Sequence, residues 1–196
     1  MAFHIPVVLI VFNRPDVTRR LLNCMRRVRP EKLMVVGDGP RPNSLEDREK
    51  CKEVRNCIDE MIDWPCDLDL KFADQNMGCR RRVITGLNWV FDKVDRAIIL
   101  EDDCLPGESF FPFCAEVLDY YANDDRVMTV SGSNFQRGHK RTQYSYYFSR
   151  FMHCWGWATW RRAWCLFDPE MQHWPEVRDD GWLSYLLDQP YAISYW

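Results

Sequence analysis

Residues 98 to 103 read Ile98-Ile99-Leu100-Glu101-Asp102-Asp103, an apolar run of strand character that opens directly onto three carboxylates. Three adjacent acids repel one another unless a cation lies among them, and a hard divalent ion suits oxygen ligands best. Helix-covered parallel sheets deliver functional groups at the carboxyl ends of their strands, so this placement points to metal-assisted chemistry. The competing reading is a solvated acidic loop. Other strand ends carry polar groups too: Asn13-Arg14 after Pro6 to Phe12, Asp38 after Leu33 to Val36, and Asn76 with Gly78 after the alternating Leu68, Leu70 and Phe72. A guanidinium and carboxylates at three strand ends predict one converging site. Neither a Gly-x-Gly-x-x-Gly loop nor a Walker-type lysine motif is present, which argues against dinucleotide and P-loop nucleotide binding.

The elements that must position these groups are legible as a repeated switch of period. Pro15 suits the first turn of a helix whose apolar face is Val17, Leu21, Leu22 and Met25. Gly37-Asp38-Gly39-Pro40 stops the second strand, and Ser44 with Asp47 resembles a capping signal for a helix through Val54, Ile58 and Met61. A helix from Arg80 places Val83, Leu87, Val90 and Phe91 on one side, and Ala97 to Leu100 is the fourth strand. Four such alternations predict an α/β fold, a mostly parallel central sheet flanked by helices on both faces. Further on, Phe110 to Tyr121 reads as a helix and Val127 to Val130 as a strand. A tract crowded with aromatic residues follows, holding Tyr144, Tyr146, Tyr147, Phe148, Phe151, Trp155, Trp157, Trp160 and Trp164.

With 196 residues and 46% apolar content the chain can bury one substantial core. Its net charge of −3 gives no overall attraction to nucleic acid or to an anionic membrane surface. The apolar run Ile5 to Phe12 is too short to span a bilayer and lacks a basic leader, so no transmembrane segment or targeting signal is expected. Nine cysteines contain no Cys-x-x-Cys pair, and they read as reduced thiols of a cytoplasmic protein rather than as disulfides or zinc ligands.

Five motifs in order, Ile-Pro-Val-Val-Leu-Ile-Val-Phe-Asn-Arg, Val-Val-Gly-Asp-Gly, Ile-Ile-Leu-Glu-Asp-Asp, Cys-Trp-Gly-Trp-Ala-Thr-Trp and Asp-Asp-Gly-Trp, span Ile5 to about Trp182. Together they resemble GT-A fold glycosyltransferases, in particular the branch of N-acetylglucosaminyltransferase I, the protein O-mannose N-acetylglucosaminyltransferase and their bacterial relatives. The resemblance implies a single GT-A domain over residues 1–196, with about 1–104 as the nucleotide-binding half and about 105–196 as the acceptor-facing half. It implies an inverting transfer of a sugar, hexosyl or N-acetylhexosaminyl, from a UDP-linked or similar nucleotide donor to a hydroxyl of a saccharide or glycolipid acceptor.

Position by position, the resemblance has Arg14 and Asp38 bind the donor nucleotide, the aspartate accepting from a uracil ring nitrogen. Glu101 and Asp102 lie near the donor, and Asp103 holds a manganese or magnesium ion bridging its diphosphate. Asn76 and Arg80, before and within the Arg80-Arg81-Arg82 helix start, are expected against the donor as well. Guanidinium groups and helix-start amides would meet the diphosphate there, although Arg81 and Arg82 could equally be solvated. The base that accepts the acceptor hydroxyl proton aligns with Asp180, with Asp179 the alternative after a one-residue shift. The chain departs from the family here, having no aromatic residue before the base and Gly181 after it. Either acid could instead cap the helix from Trp182. Trp155 and Trp157 are expected to line the acceptor site, where rings stack on sugar faces, or else to belong to the core. Two other functions share this outline: a non-catalytic sugar-nucleotide or carbohydrate-binding module, and a nucleotidyltransferase, which would usually bring a glycine-rich first loop. The sequence leaves open peripheral docking of a cytoplasmic enzyme on a membrane that carries a lipid-linked acceptor, and the net acidity disfavours purely electrostatic docking.

Overall fold

The computed structural model describes residues 3–140, 142–187 and 190–195. They form two compact units, Met1–Cys165 and Leu166–Trp196.

The first unit alternates strand and helix as the sequence predicts through β1 (Val7–Val11), α1 (Pro15–Val28), β2 (Lys32–Gly37), α2 (Leu45–Met61), β3 (Asp67–Phe72), α3 (Cys79–Phe91), β4 (Arg96–Glu101), α4 (Phe110–Tyr120) and β5 (Thr129–Ser131), and adds β6 (Trp157–Trp160) and α5 (Arg161–Trp164), which the sequence does not predict. The six strands make one sheet in the order β3-β2-β1-β4-β6-β5. β1 pairs in parallel with β2 and with β4, and β2 in parallel with β3, whereas β6 runs antiparallel to both β4 and β5. The fold class is α/β with a mostly parallel sheet.

Strand periodicity explains the two helical layers, because successive side chains of a strand point to opposite faces. Val7, Leu9 and Val11 join Leu33, Val35, Ile98 and Leu100 on one face, covered by Leu21, Leu22 and Met25 of α1, Val54 and Ile58 of α2, and Cys114 and Leu118 of α4. The opposite face holds Val8, Met34, Val36, Ala97 and Ile99 under Leu87, Val90 and Phe91 of α3. Both sides of the central strands are therefore dry, as parallel sheets require.

Of the two readings of Trp157, acceptor wall or core, the structure bears out the core. Trp157, Ala158, Thr159 and Trp160 are all buried and form β6 against β4, so Trp157 packs in the α3-side core. It offers no exposed ring for a sugar, whereas Trp155, two residues earlier, is 66% exposed. No disulfide joins the nine cysteines.

The second unit contains α6 (Trp174–Asp179), α7 (Trp182–Leu186) and α8 (Pro190–Tyr195). Asp168 opens it by accepting the amides of Glu170 and Gln172 at 2.9 and 2.6 Å. No helix among the described residues is long and apolar enough to cross a membrane.

Candidate functional site

The chain lays β2 and β3 on one side of β1 and then returns to lay β4 on the other. That reversal leaves a crevice beyond the carboxyl ends of β1 and β4, the place where open α/β sheets hold ligands. Register fixes what borders it. Ile10 lies opposite Glu101 in β4 and opposite Val36 in β2, and Val36 lies opposite Lys71 in β3, so four strands end along one edge.

Arg14 crosses the crevice. It precedes Pro15 at the start of α1, and its carbonyl accepts from the Thr18 amide at 3.1 Å and the Thr18 hydroxyl at 2.8 Å. With the backbone so held, its guanidinium donates to Asp102 and reaches Asp103 at 3.2 Å. Asp102 is 4% exposed, whereas the Arg14 and Asp103 side chains are 50% and 46% exposed. Burial pushes the Asp102 carboxyl above its ordinary value, and the Arg14 hydrogen bond works in the opposite direction. Burial, followed by the charges of Asp103 and Asp102, also raises Glu101. The three acids are thus one electrostatic group with an arginine as resident counter-charge.

Among the described residues no three His, Cys, Asp or Glu side chains gather into a preformed metal cage. The chemistry of the donor set still fits a hard divalent ion. Such ions keep waters and phosphate oxygens and need only one or two protein carboxylates, and Asp103 presents a half-exposed oxygen pair at the crevice.

One strand further along the edge, Asp38 follows β2 with its amide on the Val11 carbonyl at 3.1 Å. Its carboxylate, 7% exposed, accepts from four donors: Gly39 N at 2.8 Å, Met77 N at 2.9 Å, Asn76 Nδ2 at 3.0 Å and Gly78 N at 3.2 Å. A carboxylate has about four lone-pair directions, so this one is filled by its own loops. Asn76 also donates to the Gly39 carbonyl at 3.0 Å. Gly39 permits the approach, since a Cβ there would lie 2.5 Å from the Gln75 backbone. Asp38 and Asn76 therefore fasten the loop after β2 to the loop that starts α3.

Gly78 is the N-cap of α3 with φ of 79°, and Arg80 and Arg81 of the first turn are exposed. Arg82 behaves otherwise. It is 4% exposed, donates to the Lys71 carbonyl, lies 3.9 Å from Met77 Sδ, and its Nε has no partner. Desolvation lowers its pKa, with the Asp38 charge opposing. Four residues on, Gly86 lets α3 close on Val36, which turns the face bearing Arg82 toward the sheet.

Sequence reasoning did not assign Asp47 to this region. This third residue of α2 is 2% exposed, and its carboxylate accepts from Asn13 Nδ2 at 2.7 Å and from Arg41 Nε at 2.6 Å. Hydrogen bonding from Arg41 leads the effects that lower it to about 2. A signal existed, because a full capping box wants Glu or Gln at this position and the shorter Asp leaves its carboxylate available elsewhere.

Asp179 and Asp180 belong to the second unit. Asp179 accepts from Arg178 Nε at 2.8 Å, which lowers its pKa. Asp180 is exposed and has no side-chain partner among the described residues. Neither caps α7, whose N-cap is Gly181 without a side-chain hydrogen bond.

No family model matches the chain. No curated protein matches it either. Among solved structures it is similar to UDP-glucose pyrophosphorylase complexed with UDP-glucose, at 12% identity and a TM-score of 0.36, over 64% of this chain and 56% of that one. The chain thus spans little more than half the length of that structure.

Proposed function

We propose that the chain is a metal-dependent GT-A glycosyltransferase that moves a sugar from a nucleotide diphosphate donor, UDP-linked, to a hydroxyl of a saccharide or lipid-linked saccharide, with inversion. The observation that supports this reading is the meeting of Arg14 with Asp102 and Asp103 across the β1/β4 switch point. A nucleotidyltransferase would share the sheet, but Asn13-Arg14-Pro15 is not the glycine-rich first loop it usually brings.

In this reading Arg14 exchanges a carboxylate partner for the donor diphosphate, which offers the same paired oxygens to its fork. The start of α3, with Arg80 in its first turn, brings a guanidinium and the positive end of a helix dipole to the same charge. Asp103 would hold a manganese or magnesium ion, which when bound neutralises charge on the leaving diphosphate. Asp38 and Asn76 shape the wall against which the base rests. The motif resemblance assigns the base that accepts the proton of the incoming hydroxyl to Asp180, and Trp155 offers an exposed ring for an acceptor.

Transfer or hydrolysis of UDP-sugars, assayed with and without manganese, tests the proposal. Chelation should abolish turnover, and Asp103→Ala should lower it by about 100-fold or more. Activity indifferent to both would remove the ion from the mechanism. Asp180→Asn should lower kcat while leaving UDP binding intact.

A further inference from the structure

A Ser-x-x-Asp start such as Ser44 to Asp47 can form two reciprocal caps, but only one forms here. Ser44 Oγ accepts the Asp47 amide at 3.1 Å. The Asp47 carboxylate instead turns away from its own helix and spans two loops. From the loop after β1 it takes Asn13 Nδ2 at 2.7 Å. From the loop after β2 it takes the Arg41 amide at 3.2 Å, Nε at 2.6 Å and Nη2 at 3.0 Å. The Arg41 guanidinium also lies 5.6 Å from the centroid of the Phe12 ring, a second tie between the same loops.

These two loops carry Arg14 and Asp38. The last hydrogen bond between β1 and β2 runs from the Asp38 amide to the Val11 carbonyl at 3.1 Å. Past Val11 no bond of the ladder ties the stretch that leads to Arg14 to the loop after Asp38. Asn13 is the residue immediately before Arg14, and Arg41 lies three residues after Asp38, so a buried carboxylate bonded to both fixes the separation.

We infer that Asp47 is a positioning residue for the nucleotide cleft: through Asn13 and Arg41 it holds the loop bearing Arg14 at the spacing a nucleoside diphosphate requires. The inference rests on the donor reading given above, and it deepens that reading with a residue outside the cleft. Charge and shape both matter, because Asn at position 47 keeps the size of the side chain and the Ser44 cap. It also loses the ion pair with Arg41 and turns an amide donor toward a donor.

The test is UDP titration in the presence of manganese on the wild-type protein, Asp47→Asn and Asn13→Ala, each measured well below its melting temperature. Both variants should bind UDP about tenfold more weakly, the loss of one interaction from a charged hydrogen-bond network. The KM for the donor should rise while kcat stays within about threefold, and the double variant should be no worse than Asp47→Asn alone, since the two act through one contact. Folded variants with wild-type UDP affinity would overturn the inference, as would additive losses. Asn13→Ala keeps the test alive should Asp47→Asn fail to fold. An independent readout is the Arg14 Nε–H resonance in ligand-free protein, which should shift in both variants. If wild-type protein binds no UDP, the donor reading falls, and an unmoved Arg14 resonance would then also overturn the positioning role.

Discussion

Arg14 and Asp103 lie 89 positions apart in sequence and 3.2 Å apart in space, joined beyond the carboxyl ends of the paired strands β1 and β4. The same guanidinium bonds to Asp102, which is buried where Asp103 is half-exposed. The two contacts therefore differ in consequence. Water screens the Asp103 contact, so its loss alone matters little to stability. The Asp102 contact compensates a desolvated charge.

Replacing Arg14 with Met should therefore lower stability by about 1–3 kcal/mol at neutral pH, the penalty for stranding a buried polar group. Adding Asp102→Asn should recover most of it, because the stranded charge is gone. The sign with pH follows from the raised Asp102 carboxyl. An acid whose folded pKa is raised contributes stability below its unfolded value of about 3.9 and loses it as pH rises through the folded value. The deficit of Arg14→Met should accordingly shrink as pH falls from 7 toward 4, measured by urea denaturation across that range.

Asp47 titrates in the opposite sense. Its carboxyl is held down to about 2, by hydrogen bonding from Arg41 first. An acid with a depressed folded pKa contributes stability above its unfolded value of about 3.9 and loses it as pH falls through the folded value. The stability difference between wild type and Asp47→Asn should hold steady above about pH 4 and close progressively toward pH 2. Denaturation midpoints of the two proteins, compared at each pH, check it. A constant difference down to pH 2 would contradict the assigned ion pair.

Periodicity made four parallel strands and their helices legible, because β1, β2 and β4, buried on both faces, read as apolar runs, the edge strand β3 as alternation, and the helices between them as 3.6-residue stripes. β6 was hidden for the same physical reason. Its residues Trp157, Ala158, Thr159 and Trp160 are all buried, so neither alternation nor a run distinct from the surrounding aromatic tract marks them. The acid triplet and Arg14 were legible by type and by place at strand ends. What Asp38 does with its oxygens was not, since three of its four donors come from residues 76 to 78. Arg82 sits in a run of three arginines, and only the closeness of α3 to β2 distinguishes it from its exposed neighbours.

That closeness is itself testable at Gly86. A Cβ there would lie 2.4 Å from Val36 Cγ1, within a side chain fixed by the sheet. Alanine in place of glycine within a helix gains about 1 kcal/mol of propensity, whereas overpacking a core costs about 1–3 kcal/mol. The second effect should win, so Gly86→Ala should be destabilised in urea. Val36→Ala in the same chain should reverse the sign by removing the obstructing methyl groups.

The Asp38 loop yields the most local prediction. Asn in place of Asp38 keeps the shape but exchanges one acceptor oxygen for an NH2 group that must face donors. If the amide oxygen stays on the Gly39 and Met77 amides, its nitrogen confronts Asn76 Nδ2 and the Gly78 amide. The reversed orientation only moves the conflict to Gly39 and Met77. Either way two buried donors lose their acceptor, at about 1–3 kcal/mol, without disturbing the helices on the far face. Hydrogen exchange should therefore quicken at Met77, Gly78 and Gly39 in Asp38→Asn while the amides of β1 and β4 keep their protection. Since the same loop starts α3, any weakening of UDP binding in this variant should accompany the faster exchange; unchanged exchange at all three amides would mean that the carboxylate does not hold the loop.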